Sequence, residues 1–204
     1  MQDEVVVLGN GESRKDLYLP QLKDKIISVG CNAIHRDFIP NHLVCCDKRM
    51  VREAQKNSNI NDTVLYTRPE WSNQFSNVEN VPALPYISVD RKDTLWHWTS
   101  GPIAVLLAAK LNLNVVHMVG FDLWDTFGKV NNVYKGSSNY SNVDANPVDP
   151  SYWEYQIRKV FENFPQTSFI IYNHDYWMPP HSWKEYENVS FKTLKNFKEH
   201  LQLI

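Results

Sequence analysis

Short apolar runs, most of them followed by a small or polar residue, recur along the chain. Runs of four or five β-branched and aliphatic residues are too short for helices and are typical of strands buried on both faces of a sheet. The strands predicted in this way are Val5–Leu8, Ile26–Val29, Leu43–Cys46, Val64–Thr67, Val115–Val119 and Phe169–Tyr172. They are expected to form the centre of the fold.

Helical patterns lie between these strands. They predict helices that begin near Ser13 and at Thr99-Ser100, and helical stretches at Arg49–Gln55, Tyr152–Phe164 and Phe191–Leu201. The start at residue 99 is marked by two hydroxyl residues and by a proline in the first turn, which together are a common N-terminal signal. Because this helix stands between two predicted strands, the strands that it connects are expected to be parallel.

This order of elements predicts an α/β fold, a Rossmann-like, doubly wound, mainly parallel sheet with helices on both faces. A chain of 204 residues is long enough for one full core, so residues 1–204 are expected to form a single domain. Residues 123–150 are rich in Gly, Asn, Ser, Asp and Pro, and a loop of this length is usually functional or disordered. We interpret it as a lid over the sheet edge and call it the lid segment.

The composition excludes several classes of protein. The net charge is −2 and the basic residues are scattered, so no nucleic-acid groove is expected. No apolar stretch approaches the roughly 20 residues that cross a bilayer, and residues 1–4 lead directly into the first strand, so we expect no signal peptide. Cys31, Cys45 and Cys46 lack disulfide or zinc-ligand spacing, which indicates a reduced, cytoplasmic protein.

Two features leave alternatives open. Residues 191–201 place apolar side chains on one helical face, which is typical of a helix docked on the core or of one that touches a membrane peripherally. The aromatic content of 13% suits walls that bind sugar rings or nucleobases, and equally the core of a loop-rich protein. The sequence is also compatible with an oligomeric protein.

Residues that follow the predicted strands indicate a ligand site. In a doubly wound sheet, ligands bind in the crevice outside the carboxyl ends of the strands. These ends carry Gly9-Asn10-Gly11, Asn32, Asp47 and Asp122. Glycine lets the backbone approach a ligand, and Asn and Asp side chains can hold it, so one pocket for a polar small molecule is predicted at this rim.

Two glycine-containing motifs have both a binding and a structural interpretation. Residues 9–13 can face a phosphate with backbone N–H groups, or can form a tight turn that needs glycine. They lack the dinucleotide-binding fingerprint, since Arg14 stands where the third glycine would be. Thr99-Ser100-Gly101 can bind an anion at a helix start or cap the helix, although capping accounts for one hydroxyl and not for the glycine.

Carboxylates and histidines provide candidate reactive groups. Asp122 directly follows a buried strand, so we expect its carboxylate to bind a ligand, to bind a metal ion or to cap a helix. Its neighbours lack the Asp-x-Asp spacing with which nucleotide-sugar enzymes hold a divalent ion, so no metal ligand is predicted. His174 and His181, after the last predicted strand, are candidate general bases or structural histidines of an aromatic loop.

Taken in order, these motifs resemble those of the bacterial lipooligosaccharide sialyltransferases. The chain has Val-Val-Leu-Gly-Asn-Gly-x-Ser, Gly-Cys-Asn, Thr-Ser-Gly and Val-Gly-Phe-Asp, where that family has Gly-Asn-Gly-Pro-Ser, Arg-Cys-Asn, Thr-Ser-Gly and Gly-Ile-Asp. Residues 136–140 are similar to the family's Gly-Ser-Ser-Tyr lid segment. The resemblance covers most of residues 4–172 as a skeleton of short motifs. Motility-associated glycosyltransferases and archaeal-type pterin diphosphokinases share the first motif and the sheet arrangement.

The resemblance implies roles for the matching residues. Asn10 and Asn32 match asparagines that hold the cytidine monophosphate (CMP) part of the sugar donor. The turn at residues 99–101 matches one that meets the donor sugar and its carboxylate. Tyr140 matches a lid tyrosine that binds the leaving phosphate.

The chain also departs from that family at three places. Trp124 stands where a second phosphate-binding tyrosine would be and has no hydroxyl. Asp47 stands where the sialyltransferases usually have Asn. An Asp at this position is more like the diphosphokinase and motility-factor branch. The family's general base is a lid histidine, but residues 123–151 contain none, so the base would have to be Asp144, Asp149, His174 or His181.

Together these observations predict a metal-independent, inverting glycosyltransferase that moves a sugar from a nucleotide donor to a glycan hydroxyl. The expected donor is a CMP-activated sialic or related nonulosonic acid, and no resident cofactor is expected. The expected binding residues are Gly9, Asn10, Gly11, Ser13, Asn32, Asp47, Thr99, Ser100, Gly101, Asp122 and Trp124. The alternatives are a diphosphokinase-like enzyme with Mg²⁺ and ATP between Asp47 and Asp122, and a nucleotide-sugar-binding protein without catalysis.

Overall fold

A computed structural model describes residues 3–124 and 128–203, and within these residues eight strands form one sheet. Residues 125–127 of the predicted lid segment lie outside the described residues. The strands are β1 (Glu4–Leu8), β2 (Ile27–Cys31), β3 (His42–Val44), β4 (Val64–Thr67), β5 (Val78–Asn80), β6 (Val115–Val119), β7 (Ser168–Asn173) and β8 (Val189–Thr193).

The strand order is β5-β4-β3-β2-β1-β6-β7-β8, and each neighbouring pair is parallel. Strands β1 to β5 follow one another toward one edge of the sheet. Strand β6 then lies on the other side of β1, and β7 and β8 continue toward the opposite edge. The winding direction therefore reverses between β1 and β6. This arrangement confirms the predicted Rossmann-like, doubly wound α/β fold, in which ligands bind where the strand order reverses.

Six helices connect or flank the strands in the described part of the chain. They are α1 (Lys48–Ala54), α2 (Pro69–Ser72), α3 (Ser100–Lys110), α4 (Ser151–Asn163), α5 (His181–Lys184) and α6 (Leu194–His200). The predicted helix near Ser13 is a 3₁₀ turn at Glu12–Asp16. None of the described helices combines the length and the apolar character needed to cross a bilayer.

The prediction of a helix over residues 191–201 is wrong at its start. Residues 191–193 belong to β8, in which half-buried Val189 and Phe191 alternate with exposed Ser190 and Lys192. Alternation with a period of two is the pattern of a strand with one face on the core. The helix begins only after Thr193, whose side chain accepts a hydrogen bond from Asn196 N in a capping box.

Side chains of β1 point alternately into two cores, one on each face of the sheet. Val5 and Val7 pack with residues of α3 and α4, whereas Val6 and Leu8 pack with residues of α1 and α6. Full burial of such an aliphatic side chain contributes about 1.5–3 kcal/mol. Nine of the eleven residues of α3 are buried, and α3 packs both on the central strands and against α4.

The turns after β1 and β6 are in direct backbone contact. Gly9 N donates to Val119 O, and Gly11 N donates to Gly120 O, each at 2.8 Å. A Cβ atom on Gly9 would lie 2.3 Å from Gly120 O, a distance that real Cβ contacts do not reach. The interpretation of Gly9 as a residue of a tight turn that needs glycine is therefore correct, and the turn is fixed where the sheet winding reverses.

We expect Gly9→Ala to destabilise the protein by about 1–3 kcal/mol or more, since the backbone must move to relieve the overlap. Gly101→Ala is the matched control, because its Cβ would meet Phe121 Cε1 at an ordinary 3.6 Å, in the first turn of α3. Urea unfolding measures both variants. Equal stability of Gly9→Ala and the unsubstituted protein would contradict the described packing of the two turns.

Candidate functional site

A cavity of about 320 Å³, here called the rim cavity, lies at the carboxyl edge of the sheet beside the turns after β1 and β6. It collects side chains from strand ends that are distant in sequence, as the sequence predicts. Its lining includes Gly9, Asn10, Gly11, Asn32, Asp47, Arg68, Thr99, Ser100, Gly101 and Asp122. The rim is therefore one concave site rather than a set of separate turns.

Asp122 lines the rim cavity, but its carboxylate serves the fold. Oδ2 accepts a hydrogen bond from Ser13 N at 2.8 Å, while Oδ1 accepts from Ser13 Oγ and from Asn173 Nδ2. Burial raises the pKa of Asp122, and the hydrogen bonds from Ser13 oppose that rise. Ser13 and Asp122, both predicted to bind a ligand, thus join the turns after β1 and β6 to the end of β7.

At the start of α3 the polar side chains bond to neighbouring segments, and the N-terminal end of the helix is left without a side-chain cap. Ser100 Oγ accepts a hydrogen bond from Cys46 N at 3.0 Å, which fixes the helix to the segment after β3. Thr99 precedes the helix but makes no side-chain cap, and its N–H and hydroxyl groups donate to Gln156 Oε1 instead. The capping interpretation is therefore wrong, and the positive end of the helix dipole borders the rim cavity.

Three buried polar atoms beside the rim cavity have no hydrogen-bond partner within the described residues. They are Asn10 Oδ1, Asn32 Oδ1 and Arg68 Nε. An unpaired buried polar group costs about 1–3 kcal/mol, so such atoms rarely persist without a ligand or water to satisfy them. Two acceptors and one cationic donor therefore remain available to a ligand.

Asn32 is also strained in its backbone. Its φ angle is 52°, in the left-handed region that a non-glycine residue seldom occupies. This conformation is adopted at the first residue of a 3₁₀ turn directly after β2, beside the rim cavity. Strained residues of this kind cluster at binding sites, where the surrounding structure holds them in place.

The lid segment is fixed on the turn after β1. Val133 N donates to Asn10 O at 2.9 Å, and the hydroxyl of Tyr140 accepts from Asn10 Nδ2 at 3.2 Å. Arg14, at the position of the missing third glycine, donates to Gly9 O and to the Tyr134 hydroxyl, each at 2.8 Å. The described residues of the lid segment are therefore held against the rim, where a lid is expected to lie.

A second cavity of about 520 Å³, here called the lid cavity, lies between the lid segment and the rim. It shares Asn32, Asp47 and Trp153 with the rim cavity and adds Tyr140 and Trp124. Burial raises the pKa of Tyr140, so its hydroxyl stays protonated and can donate to a ligand oxygen. The two cavities together give room for a ligand with two parts.

The four candidate bases are dispersed. Asp149 lines the lid cavity, and its Oδ1 accepts a hydrogen bond from Ser151 N at the start of α4. His174 lines a different cavity of about 390 Å³, beside Ser13 and Trp177. Asp144, Asp149 and His181 are all exposed, and His181, the first residue of α5, pairs with Glu185, which directly follows that helix. Of the four, only Asp149 lines the lid cavity.

Arg68 is a site residue that the sequence analysis missed. It directly follows β4, so the rule already applied to the ends of the other strands would have found it. Trp153 of α4 and Asn131 of the lid segment also line the rim cavity. Their sequence positions carry no comparable signal, because the packing of α4 and of the lid segment decides their place.

The cysteines beside the rim cavity are not poised as nucleophiles. Cys31, Cys45 and Cys46 are free and buried. Burial raises the pKa of Cys31 to about 12 and that of Cys46 to about 11, so both remain thiols at neutral pH. The polar chemistry of the rim therefore rests on amide, hydroxyl, carboxylate and guanidinium groups.

No protein-family model, curated protein or solved structure matches the chain. The resemblance to the sialyltransferases therefore stays an expectation drawn from the motifs.

The hydrogen bonds between Ser13 and Asp122 provide a test of the site's framework. We expect Ser13→Ala to cost about 1–3 kcal/mol, because a buried carboxylate loses a donor. In a double-mutant cycle with Asp122→Asn, urea unfolding should give a coupling energy of about 0.5–3 kcal/mol. Ser190→Ala, on the exposed side of β8, is the control and should leave stability unchanged. Additive effects at Ser13 and Asp122 would contradict the assignment.

Proposed function

We propose that this protein is a metal-independent, inverting glycosyltransferase whose donor is a nucleotide-activated sugar, such as a CMP-activated nonulosonic acid. The observation that carries the proposal is that one cavity combines buried acceptors with a helix end, and that within residues 3–124 and 128–203 the acceptors have no donor and the helix end has no side-chain cap. A ligand that satisfies this cavity must bring N–H or O–H donors on one part and negative charge on another. A nucleotide sugar carries both.

The nucleoside part would bind at Asn10 and Asn32. Their Oδ1 atoms are acceptors, as the exocyclic amine of cytosine or the ribose hydroxyls require. The Asn10 amide is oriented by its Nδ2 donation to Tyr140, which leaves Oδ1 to accept from the ligand. Each hydrogen bond of this kind is worth about 0.5–1.5 kcal/mol, and more when the protein group would otherwise stay unpaired.

The anionic part would bind between the start of α3, Arg68 and the lid tyrosine. Backbone N–H groups at a helix N-terminus and a guanidinium group both stabilise phosphate or carboxylate oxygens. Tyr140 retains a hydroxyl proton to donate, because it acts as acceptor toward Asn10 Nδ2 and Ala33 N. These donors would stabilise the charge that develops on the departing phosphate without a metal ion.

The acceptor would enter through the lid cavity, with Asp149 as general base. In the transfer step the carboxylate of Asp149 removes the proton of the acceptor hydroxyl. The acceptor oxygen forms a bond to the anomeric carbon on the face opposite the phosphate. The bond from that carbon to the phosphate oxygen breaks, and the nucleotide leaves with the electron pair.

Replacing Asn32 tests nucleotide binding. A saturating amount of CMP, about 100 times the Kd, should raise the melting temperature by about 5–10 °C. Asn32→Gly should weaken CMP binding by about 5- to 100-fold, as the loss of a buried hydrogen bond predicts. Glycine is chosen because it tolerates the positive φ.

The control for this experiment is Asn77→Gly, since Asn77 also has a positive φ, 54°, but is exposed and outside the rim cavity. It should keep the full CMP shift, as measured by differential scanning fluorimetry. The proposal fails if none of CMP, UDP, GDP or the CMP-sugar shifts the unsubstituted protein.

Replacing Asp149 tests catalysis separately from binding. Asp149→Asn keeps an oxygen that can accept from Ser151 N but cannot take a proton, so we expect a loss of about 10²–10⁴-fold in transfer rate. CMP affinity should stay unchanged. Asp144 is equally exposed and lies in the same segment but does not line the lid cavity, so Asp144→Asn should keep full activity in a CMP-release assay with CMP-sialic acid. Equal rates of the two variants would exclude Asp149 as the base.

The alternatives give different results in the same assays. Mg²⁺-dependent binding of ATP that is lost in Asp47→Asn would favour a diphosphokinase-like enzyme. Nucleotide binding without release or transfer, across a panel of donors, would favour a binding protein. The diphosphokinase alternative is weakened by the hydrogen bonds to Asp122, since both carboxylate oxygens already accept from Ser13.

A further inference from the structure

A buried histidine interrupts the apolar strand β6. His117 lies between Val116 and Met118 and is 1% exposed, although the other residues of this strand are aliphatic or Met. In the parallel register Val6 is opposite His117, and Glu4 is opposite Val115. Because side chains alternate along a strand, Glu4 and His117 lie on the same face of the sheet, as diagonal neighbours.

The helix α6 brings a third ligand-type side chain to this pair. Glu4 Oε2 lies 2.8 Å from His200 Nε2 and 3.3 Å from His117 Nε2. The ligand atoms of the three residues all lie within 4.8 Å of one another. Tetrahedral zinc, with bonds of about 2.0–2.2 Å to nitrogen and oxygen, needs ligand atoms about 3.3 Å apart. Small shifts of side chains would meet this requirement.

A supporting hydrogen bond orients the buried ring. His117 Nδ1 lies 2.9 Å from the hydroxyl of Tyr172 in β7, which leaves Nε2 directed at the cluster. Metal-bound histidines are commonly held in this way, by a partner on the ring nitrogen that does not bind the metal. Glu4 and His200 are partly exposed, at 31% and 44%, so an ion can enter and a water can supply a fourth ligand.

We propose that Glu4, His117 and His200 form a site for a divalent transition-metal ion, most suitably Zn²⁺, that fastens α6 to the sheet. Imidazole and carboxylate ligands suit zinc rather than Mg²⁺ or Ca²⁺, which prefer oxygen ligands alone. The three residues lie on β1, on β6 and near the end of the described chain. The ion would therefore link segments that are nearly 200 residues apart in sequence.

The site is separate from the proposed nucleotide site. Glu4 begins β1, whereas the rim cavity lies beyond the carboxyl end of that strand. The sequence does not predict this site, because it contains no closely spaced Cys or His pair of the kind that forms a metal-ligand motif. The three ligands come together only through strand register and the docking of α6. The ion would act on stability, and the metal-independent transfer proposed above does not involve it.

The test is metal binding by the tag-free full chain after treatment with a chelator. Isothermal titration with Zn²⁺ should give one site per chain, and zinc at about 100 times the Kd should raise the melting temperature by about 5–10 °C. Replacement by Co²⁺ should give the strong visible absorption of a four-coordinate ion. Mg²⁺ should produce neither effect.

Two variants locate the site. His200→Gln and Glu4→Gln change partly exposed side chains, so both should fold, and each should lose at least 10-fold in zinc affinity. The control is His181→Gln, since His181 is an exposed histidine that also pairs with a glutamate but lies outside the cluster. It should retain the full zinc effect. Zinc binding that survives His200→Gln, or no binding by the unsubstituted chain, would overturn the proposal.

Discussion

The close backbone contact between the turns after β1 and β6 is the constraint on which the rest of the site depends. Gly9 meets Gly120 at a distance that admits no side chain at position 9. With Gly9 and Gly11 bonded to the turn after β6, Asn10 lies beside the rim cavity. The lid segment then bonds to Asn10 through its backbone and side chain, so it is fixed to the same contact.

The polar groups of the rim divide into those that the fold uses and those that it leaves open. Ser13, Ser100 and Asp122 look like ligand-binding residues in sequence, yet their side chains hold strands and turns together. Asn10 and Asn32 each keep a buried oxygen to which no group of the described residues donates. Because an unpaired buried acceptor is costly, this contrast marks the ligand-binding groups more sharply than residue type does.

The two proposed sites use the same sheet in different ways. The rim cavity lies at the point where the winding reverses. The loops after the two strands run in opposite directions there, which leaves a crevice between them. The cluster at Glu4, His117 and His200 depends on strand register, which brings side chains of the neighbouring strands β1 and β6 together beside the end of α6. A reversal point is visible in the order of elements, whereas a register contact is not.

The sequence by itself determined the fold class, six of the eight described strands and the rim, since apolar runs and the residues after them are local signals. It did not reveal the edge strand β5, which has three residues and one apolar side chain, or β8, whose alternation merges into the capped helix α6. Only the tertiary structure decided that Ser13 bonds to Asp122, that Trp153 and Asp149 line the cavities, and that His117 meets Glu4 and His200. The physical reason is that these contacts join segments far apart in the chain, and their geometry is set by packing and register rather than by any local pattern.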